Sequence, residues 1–250
     1  MPISIQNGII DERWMLNYDG EEVELEVKKP NFPHSLFTMN RKGFKNRHPW
    51  EIFFRILNEL VWFYDITVQD LNGGHGDYCA NINFLPNDDS YAIQLIDFKQ
   101  QVFEKDQHLA LGFFREGVSS GSAYHAFMCY SKILEIPFKD GRSKGAWIEK
   151  GIPSLKGELA VSFRDRRVHM LGGKTLGMWL KEDGRDALSH ANIQGGGTVR
   201  DPNSYQDWDE IKWGNTVMQE LAEKAMIDCL KIPKKESLIL SVQQEEDKRQ

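Results

Sequence analysis

The residues whose types and spacing best suit a chemical role are Arg185, Asp186 and His190, in the segment Arg-Asp-Ala-Leu-Ser-His-Ala over 185–191. Histidine has a reference pKa of about 6.5, so His190 can exchange protons near neutral pH. Arginine stays charged, and its planar donors match two phosphate oxygens. RNA can be cut without a metal if its 2′-hydroxyl is deprotonated beside the phosphodiester. The segment therefore predicts a site with His190 as acid/base, Arg185 as phosphate clamp and Asp186 as an orienting group.

Helix geometry places a condition on this pair. Five residues of a regular α-helix rotate by about 140°, so Arg185 and His190 do not share one helix face. They can converge only at a helix start or across a cleft between two protomers. A helix-end salt link with a packed histidine is the structural alternative for the same two residues.

A second match to the same pattern lies at Arg164 and His169. We rank this alternative catalytic pair lower, because Val168 and Met170 alternate with polar neighbours as in a strand. The pair also has no long helix directly after it, whereas the Arg185 segment lies one loop before the last helix.

Basic residues cluster at two places in a chain whose formal net charge is −6. This acidic balance argues against an extended nucleic-acid-binding surface, but it is compatible with a small basic pocket. Lys139, Arg142 and Lys144 are the candidate RNA contacts, and the second cluster surrounds Arg164. A solvated surface is the alternative interpretation of both clusters.

Several known signatures are missing from the sequence. Phosphate-binding, dinucleotide-binding and nucleophile-elbow glycine motifs are not found, and neither are the zinc spacings His-Glu-x-x-His and Cys-x-x-Cys. We therefore expect no metal and no cofactor. We expect a cytoplasmic protein with no membrane partner. The three cysteines are widely spaced, the start has no secretory pattern, and the sequence has no long apolar run.

The first hundred residues read mainly as strands. Asp19-Gly20 separates two runs of alternating residues, which predicts a hairpin. A helix is expected to start at Pro49, with Ile52, Phe53, Ile56, Leu60 and Phe63 on its apolar stripe.

From about Gln107 the periodicity becomes helical. A helical hairpin broken near 117–121 is expected, followed by a basic loop over 139–151 and helices over 153–166 and 175–181. The clearest helix is the last one, with apolar residues recurring from Ile211 to Leu230.

Together these elements predict an α+β fold, in which a β-rich N-terminal module with a long helix precedes a helical bundle. We expect the β-rich module over 1–105, the helical domain over 106–235 and a short strand with a charged tail over 236–250.

The order of elements and three motifs resemble the HEPN superfamily, helical bundles that carry an arginine, a polar residue directly after it and a histidine four to six residues further on. Within it, Phe113-Phe114-Arg115-Glu116-Gly117 and the run 127–133 (Phe-Met-Cys-Tyr-Ser-Lys-Ile) are similar to the methylamine-utilisation protein J-like group. The resemblance covers about 107–235 and does not extend to the first hundred residues.

The resemblance implies a HEPN-like domain that dimerises and forms a composite site from two protomers. It further implies a metal-independent endoribonuclease, acting on RNA as a toxin or antiviral-defence effector, in some cases with a cognate regulator or within a larger complex. The alternatives are a non-catalytic module that binds nucleotides or proteins, and a structural accessory protein that docks through its N-terminal module.

Overall fold

The computed structural model describes residues 11–18, 21–28, 35–40, 49–64, 66–72, 79–86, 102–166, 171–189 and 199–234. The chain divides into two compact units, one formed by residues 1–104 with 234–250 and the other by residues 105–233. Among the helices in the described ranges, none is both long enough and apolar enough to cross a membrane.

The first unit contains helix α1 (Pro49–Tyr64) and five strands. The predicted apolar stripe of α1 is confirmed, since its five residues from Ile52 to Phe63 are all buried. The strands pair antiparallel in the order β1-β2-β3-β5-β4. Their bounds are β1 Asp11–Tyr18, β2 Glu21–Lys28, β3 Ser35–Asn40, β4 Ile66–Asn72 and β5 Cys79–Pro86.

The expected α+β class with a β-rich N-terminal module is wrong as a description of this fold. Over residues 49–64, 102–166, 171–189 and 199–234, 76% of the chain is helical and none of it is strand. Alternating residues specify a locally extended backbone, but the class of a fold depends on the elements that bury its core. In the second unit, the buried hydrophobic side chains of the described residues lie on helices and on the connections between them.

The second unit begins with the predicted helical hairpin, which the structure confirms as α2 (Lys105–Val118) and α3 (Ala123–Glu135). Ser122 caps α3, because its side chain accepts a hydrogen bond from the backbone N–H of His125 at 3.4 Å. The ring centroids of Phe114 and Tyr130 lie 6.1 Å apart, so the two helices pack through aromatic side chains.

The basic stretch that was expected to be a loop is instead a helix, α4 (Gly141–Gly151). Its start is stabilised by Asp140, whose Oδ1 accepts from the backbone N–H groups of Arg142 at 2.9 Å and Ser143 at 2.8 Å. These hydrogen bonds, with that of Ser143 the strongest, lower the pKa of the Asp140 carboxyl. The sequence analysis did not identify Asp140 as a helix cap, and the glycines of the segment suggested a loop.

The helices after α4 are shorter, until the last one. A 3-10 turn covers Ile152–Ser154, α5 covers Glu158–Arg166 and α6 covers Leu176–Trp179. From α6 the chain continues directly into a π-helical segment, Leu180–Asp186, and then α7 (Ala187–Ser189). The predicted last helix is confirmed as α8 (Tyr205–Asp228), and its predicted apolar residues from Ile211 to Met226 are buried. Leu230, expected on the same stripe, lies beyond the end of the helix and is half-buried.

Close approaches between helices define the core of the second unit. A Cβ added to Gly184 would lie 2.5 Å from Cζ of Phe127, so the π-helical segment lies directly on α3. A Cβ added to Gly214 would lie 2.7 Å from Cζ3 of Trp179, which is only 1% exposed. Glycine at 184 and 214 therefore lets the π-helical segment, α3 and α8 meet around Trp179 and Phe127.

Replacement of Gly214 by alanine is expected to lower the free energy of unfolding by about 1–3 kcal/mol, because the new methyl group overpacks Trp179. The matched control is Gly145→Ala on α4, where an added Cβ meets nothing within 4 Å. That change is expected to raise stability by up to about 1 kcal/mol through helix propensity. Urea denaturation of both variants measures the difference, and an increase in both would contradict the packing account.

Candidate functional site

A cavity of about 660 Å³ opens in the second unit between the end of α3, the helix α4 and the run from α6 through the π-helical segment. Part of its wall is apolar, with Phe138, Ile148 and Met218 among its residues. The charged part of the wall is mixed in sign. Its cations are Lys139, Arg142, Lys144, Lys181 and Arg185, and its carboxylates are Glu135, Asp140, Glu149 and Asp186.

Arg185 lies in the π-helical segment and is held by two carboxylates. Its Nη1 is 2.6 Å from Oδ1 of Asp186, and its Nη2 is 3.0 Å from Oε1 of Glu135. The hydrogen bond to Asp186 raises the pKa of Arg185, burial opposes this rise, and the charge of Glu135 adds to it. The guanidinium therefore keeps its charge, and Asp186 is one of its two carboxylate partners.

Glu135 contacts a second cation as well. Nζ of Lys144 lies 3.1 Å from the same Oε1 atom, so one carboxylate oxygen joins α4 to the π-helical segment. The Lys144 side chain is 18% exposed and that of Glu135 40%. This ion-pair cluster is thus accessible from the cavity.

The structure brings five of the predicted site residues into one place. Arg185 and Asp186 line the same cavity as Lys139, Arg142 and Lys144, which precede them by more than forty positions in the sequence. Nothing in the sequence pattern linked the two groups spatially. His190 lies outside the described residues, so the role of the Arg185 and His190 pair stays a prediction.

The alternative pair is placed differently. Nε of Arg164 lies 2.6 Å from Oδ1 of Asp165, and its Nη1 donates to the carbonyl groups of Ile152 and Pro153 at 3.4 Å each. Arg164 does not line the cavity described above. His169 lies outside the described residues, so this pair also remains a prediction.

Sequence reasoning missed Arg200, which positions the Arg185 segment. Nε of Arg200 donates to the carbonyl of Asp183 at 2.7 Å, and its backbone N–H donates to the carbonyl of Ala187 at 3.4 Å. These two bonds fix the backbone on both sides of Arg185. No signature in the sequence pointed to this arginine, because its partners belong to two separate elements.

The Arg200 side chain is itself enclosed. It is 5% exposed, and its Nη1 lies 2.7 Å from Oδ1 of Asp207 and 2.6 Å from Oε2 of Glu210 on α8. Burial lowers the pKa of Arg200, but the hydrogen bonds to Asp207 and Glu210 outweigh it, so the pKa is raised overall. The guanidinium carbon also lies 5.5 Å from the centre of the Trp179 ring, over its face.

The arrangement offers charge stabilisation and hydrogen bonding. Within the described ranges, no group of three or more histidine, cysteine or carboxylate side chains is placed to hold a metal ion. What the cavity presents to a ligand is a charged wall of mixed sign beside an apolar wall, and Arg185 lies in the charged wall.

The second unit is thus a helical domain with a charged cavity. Comparison with known proteins shows that this part of the chain is similar to one protein family. Residues 110–227 match the family model of the methylamine utilization protein MauJ. The matched segment runs from α2 to the end of α8 and makes up slightly less than half of the 250 residues. No curated protein and no solved structure gives a significant match.

Truncation of Arg200 tests its positioning role. We expect Arg200→Ala to lower the free energy of unfolding by about 3–5 kcal/mol, because Asp207 and Glu210 would keep partly buried charges without their partner. Lys224→Ala, which breaks an exposed pair with Asp228, is the control and is expected to change stability by less than about 0.5 kcal/mol. Chemical denaturation at neutral pH measures both, and equal effects would refute a special role for Arg200.

Proposed function

We propose that residues 105–233 form a HEPN-type domain and that the protein is a metal-independent endoribonuclease. The observation that carries this proposal is the shared cavity, in which Arg185 and Asp186 meet Lys139, Arg142 and Lys144. The likeness of residues 110–227 to the MauJ family supports the assignment, because MauJ-like proteins are HEPN-like helical domains.

In this proposal the cations bind the RNA backbone and Arg185 contacts the phosphate at which the bond is cut. His190 removes the proton from the 2′-hydroxyl, whose oxygen then attacks the adjacent phosphorus. The 5′-oxygen of the next nucleotide leaves, and it takes a proton from the protonated histidine. Arg185 stabilises the negative charge that develops on the phosphate oxygens.

The oligomeric part of the proposal is a homodimer. A second protomer would supply the partner of each Arg185 or His190, as the composite sites implied by the HEPN resemblance suggest. A role as a toxin or antiviral-defence effector, with RNA as target and a regulator or larger complex as partner, belongs to the same proposal.

The proposal is tested by incubating the purified full chain with end-labelled RNA in EDTA. Wild type is expected to cut, and Arg185→Ala and His190→Ala are expected to reduce the rate by about 10²- to 10⁴-fold, the usual contribution of a positioned acid/base or charge-stabilising group. Lys224→Ala, whose only described ion pair is the exposed one with Asp228, is the control and is expected to cut at the wild-type rate.

Equal cutting by wild type, Arg185→Ala and His190→Ala would show that the activity comes from elsewhere. Cutting that needs added magnesium and stops in EDTA would show a metal-dependent reaction. Either result would refute the proposed mechanism.

A second function, non-catalytic binding of a nucleotide or RNA, fits the same cavity and the contacts of Arg185. Both Nη atoms of Arg185 already contact carboxylates, Asp186 on one side and Glu135 on the other. An arginine held in this way suits a site that only recognises a phosphate. It equally suits a site that cleaves the bond next to that phosphate.

The binding function predicts a salt dependence that can be measured by fluorescence anisotropy with labelled single-stranded RNA. The double variant Lys139→Ala/Arg142→Ala is expected to bind more weakly. It should also reduce the slope of log K against log salt by about 1.4, since each phosphate contact on single-stranded RNA contributes about 0.7. An unchanged slope would exclude these two residues from the RNA contact.

A further inference from the structure

Two cationic groups from separate helices converge on a single oxygen at the cavity wall. Nη2 of Arg185 and Nζ of Lys144 lie 3.0 Å and 3.1 Å from Oε1 of Glu135. A phosphate oxygen is a charged acceptor with the same hydrogen-bonding capacity as this carboxylate oxygen. The two donors therefore define a position that either anion can take, but not both.

We propose that Glu135 is an internal competitor for this position, so that a phosphate-bearing ligand binds by displacing the Glu135 carboxylate from Arg185 and Lys144. Glu135 then determines how tightly the cavity holds a phosphate. This inference deepens the proposed function, on which it rests for the identity of the ligand as a phosphate-bearing molecule.

The charges of the cavity support displacement over simultaneous binding. Its wall carries five cations and four carboxylates, and two of the carboxylates contact Arg185. A phosphate brought beside Glu135 would meet a like charge at close range, which is unfavourable. Once Glu135 moves away, the local balance becomes five cations against three carboxylates.

The place of Glu135 in the fold makes its movement easy. It is the last residue of α3, and its side chain is 40% exposed. A carboxylate at the C-terminal end of a helix is repelled by the partial negative charge of the free carbonyl groups. Exposed ion pairs contribute little to stability, so a ligand can exchange for the carboxylate at small cost.

The test uses the full-length protein and inorganic pyrophosphate as probe, with binding measured by titration calorimetry at low salt and without divalent metal. Glu135→Gln removes the charge and keeps the size of the side chain. We expect it to bind pyrophosphate about fivefold more tightly than wild type, as the loss of a competing exposed ion pair implies. The gain should shrink at high salt, because the interaction is screened.

Glu149→Gln is the matched control. Glu149 lines the same cavity, but its described contact is the hydrogen bond that Oε1 accepts from Oγ1 of Thr175, and not one with Arg185 or Lys144. Glu149→Gln changes the net charge by the same amount as Glu135→Gln. It is expected to alter pyrophosphate affinity by less than about twofold. An equal gain in both variants would show a general charge effect and would overturn displacement.

A double-variant cycle adds a test of the contact itself. In an Arg185→Ala/Lys144→Ala background, Glu135→Gln should no longer tighten binding, because the two donors that Glu135 occupies are gone. A full gain in that background would overturn the inference. Thermal unfolding of each variant checks that the fold is retained.

The outcome separates this inference from the proposed nuclease activity. If wild type cuts RNA in EDTA but Glu135→Gln does not tighten pyrophosphate binding, displacement is refuted and the nuclease proposal stands. If Glu135→Gln tightens binding and Glu149→Gln does not, while no variant cuts RNA, displacement is supported and the nuclease proposal is refuted. Failure of wild type and Glu135→Gln alike to bind pyrophosphate overturns displacement.

Discussion

The enclosed ion-pair network of Arg200 is the interaction on which the arrangement of the second unit depends. One guanidinium group contacts Asp207 and Glu210 on α8, the carbonyl of Asp183 in the π-helical segment and the face of Trp179. A charge that is 5% exposed is costly unless its donors are paired, so each partner must stay in place. The backbone that carries Arg185 is therefore held against α8 through Arg200.

This rigid support contrasts with the charged wall of the cavity. The Arg200 cluster is enclosed and leaves its partners little freedom, whereas Arg185, Asp186 and Glu135 are each about one-third or more exposed. Exposed ion pairs are weak and exchange readily with other anions. The fold thus combines a fixed backbone with exposed charged side chains, as the proposed displacement of Glu135 by a ligand requires.

The sequence was sufficient to predict long, strongly periodic elements, and it failed where local signals compete. The apolar stripes of α1 and α8 define their helices almost alone, because burial of a continuous face decides the structure. The helix α4 was missed because Gly141 and Gly145 suggested a loop, although Asp140 supplies a good N-cap. The convergence of Arg185 with Lys144 depends on how α4 packs beside the π-helical segment, and no local pattern encodes that packing.

The π-helical segment also changes the geometric condition derived from the sequence. That condition assumed a regular α-helix, in which residues five apart point in clearly different directions. Over Leu180–Asp186 the hydrogen bonds are of the i to i+5 type, and the N–H of Ala187 still donates to the carbonyl of Glu182. Such a wider turn rotates less per residue, and π-bulges of this kind occur frequently at functional sites. The direction of Arg185 therefore depends on this local winding together with Arg200, which bonds to the backbone on both sides of it.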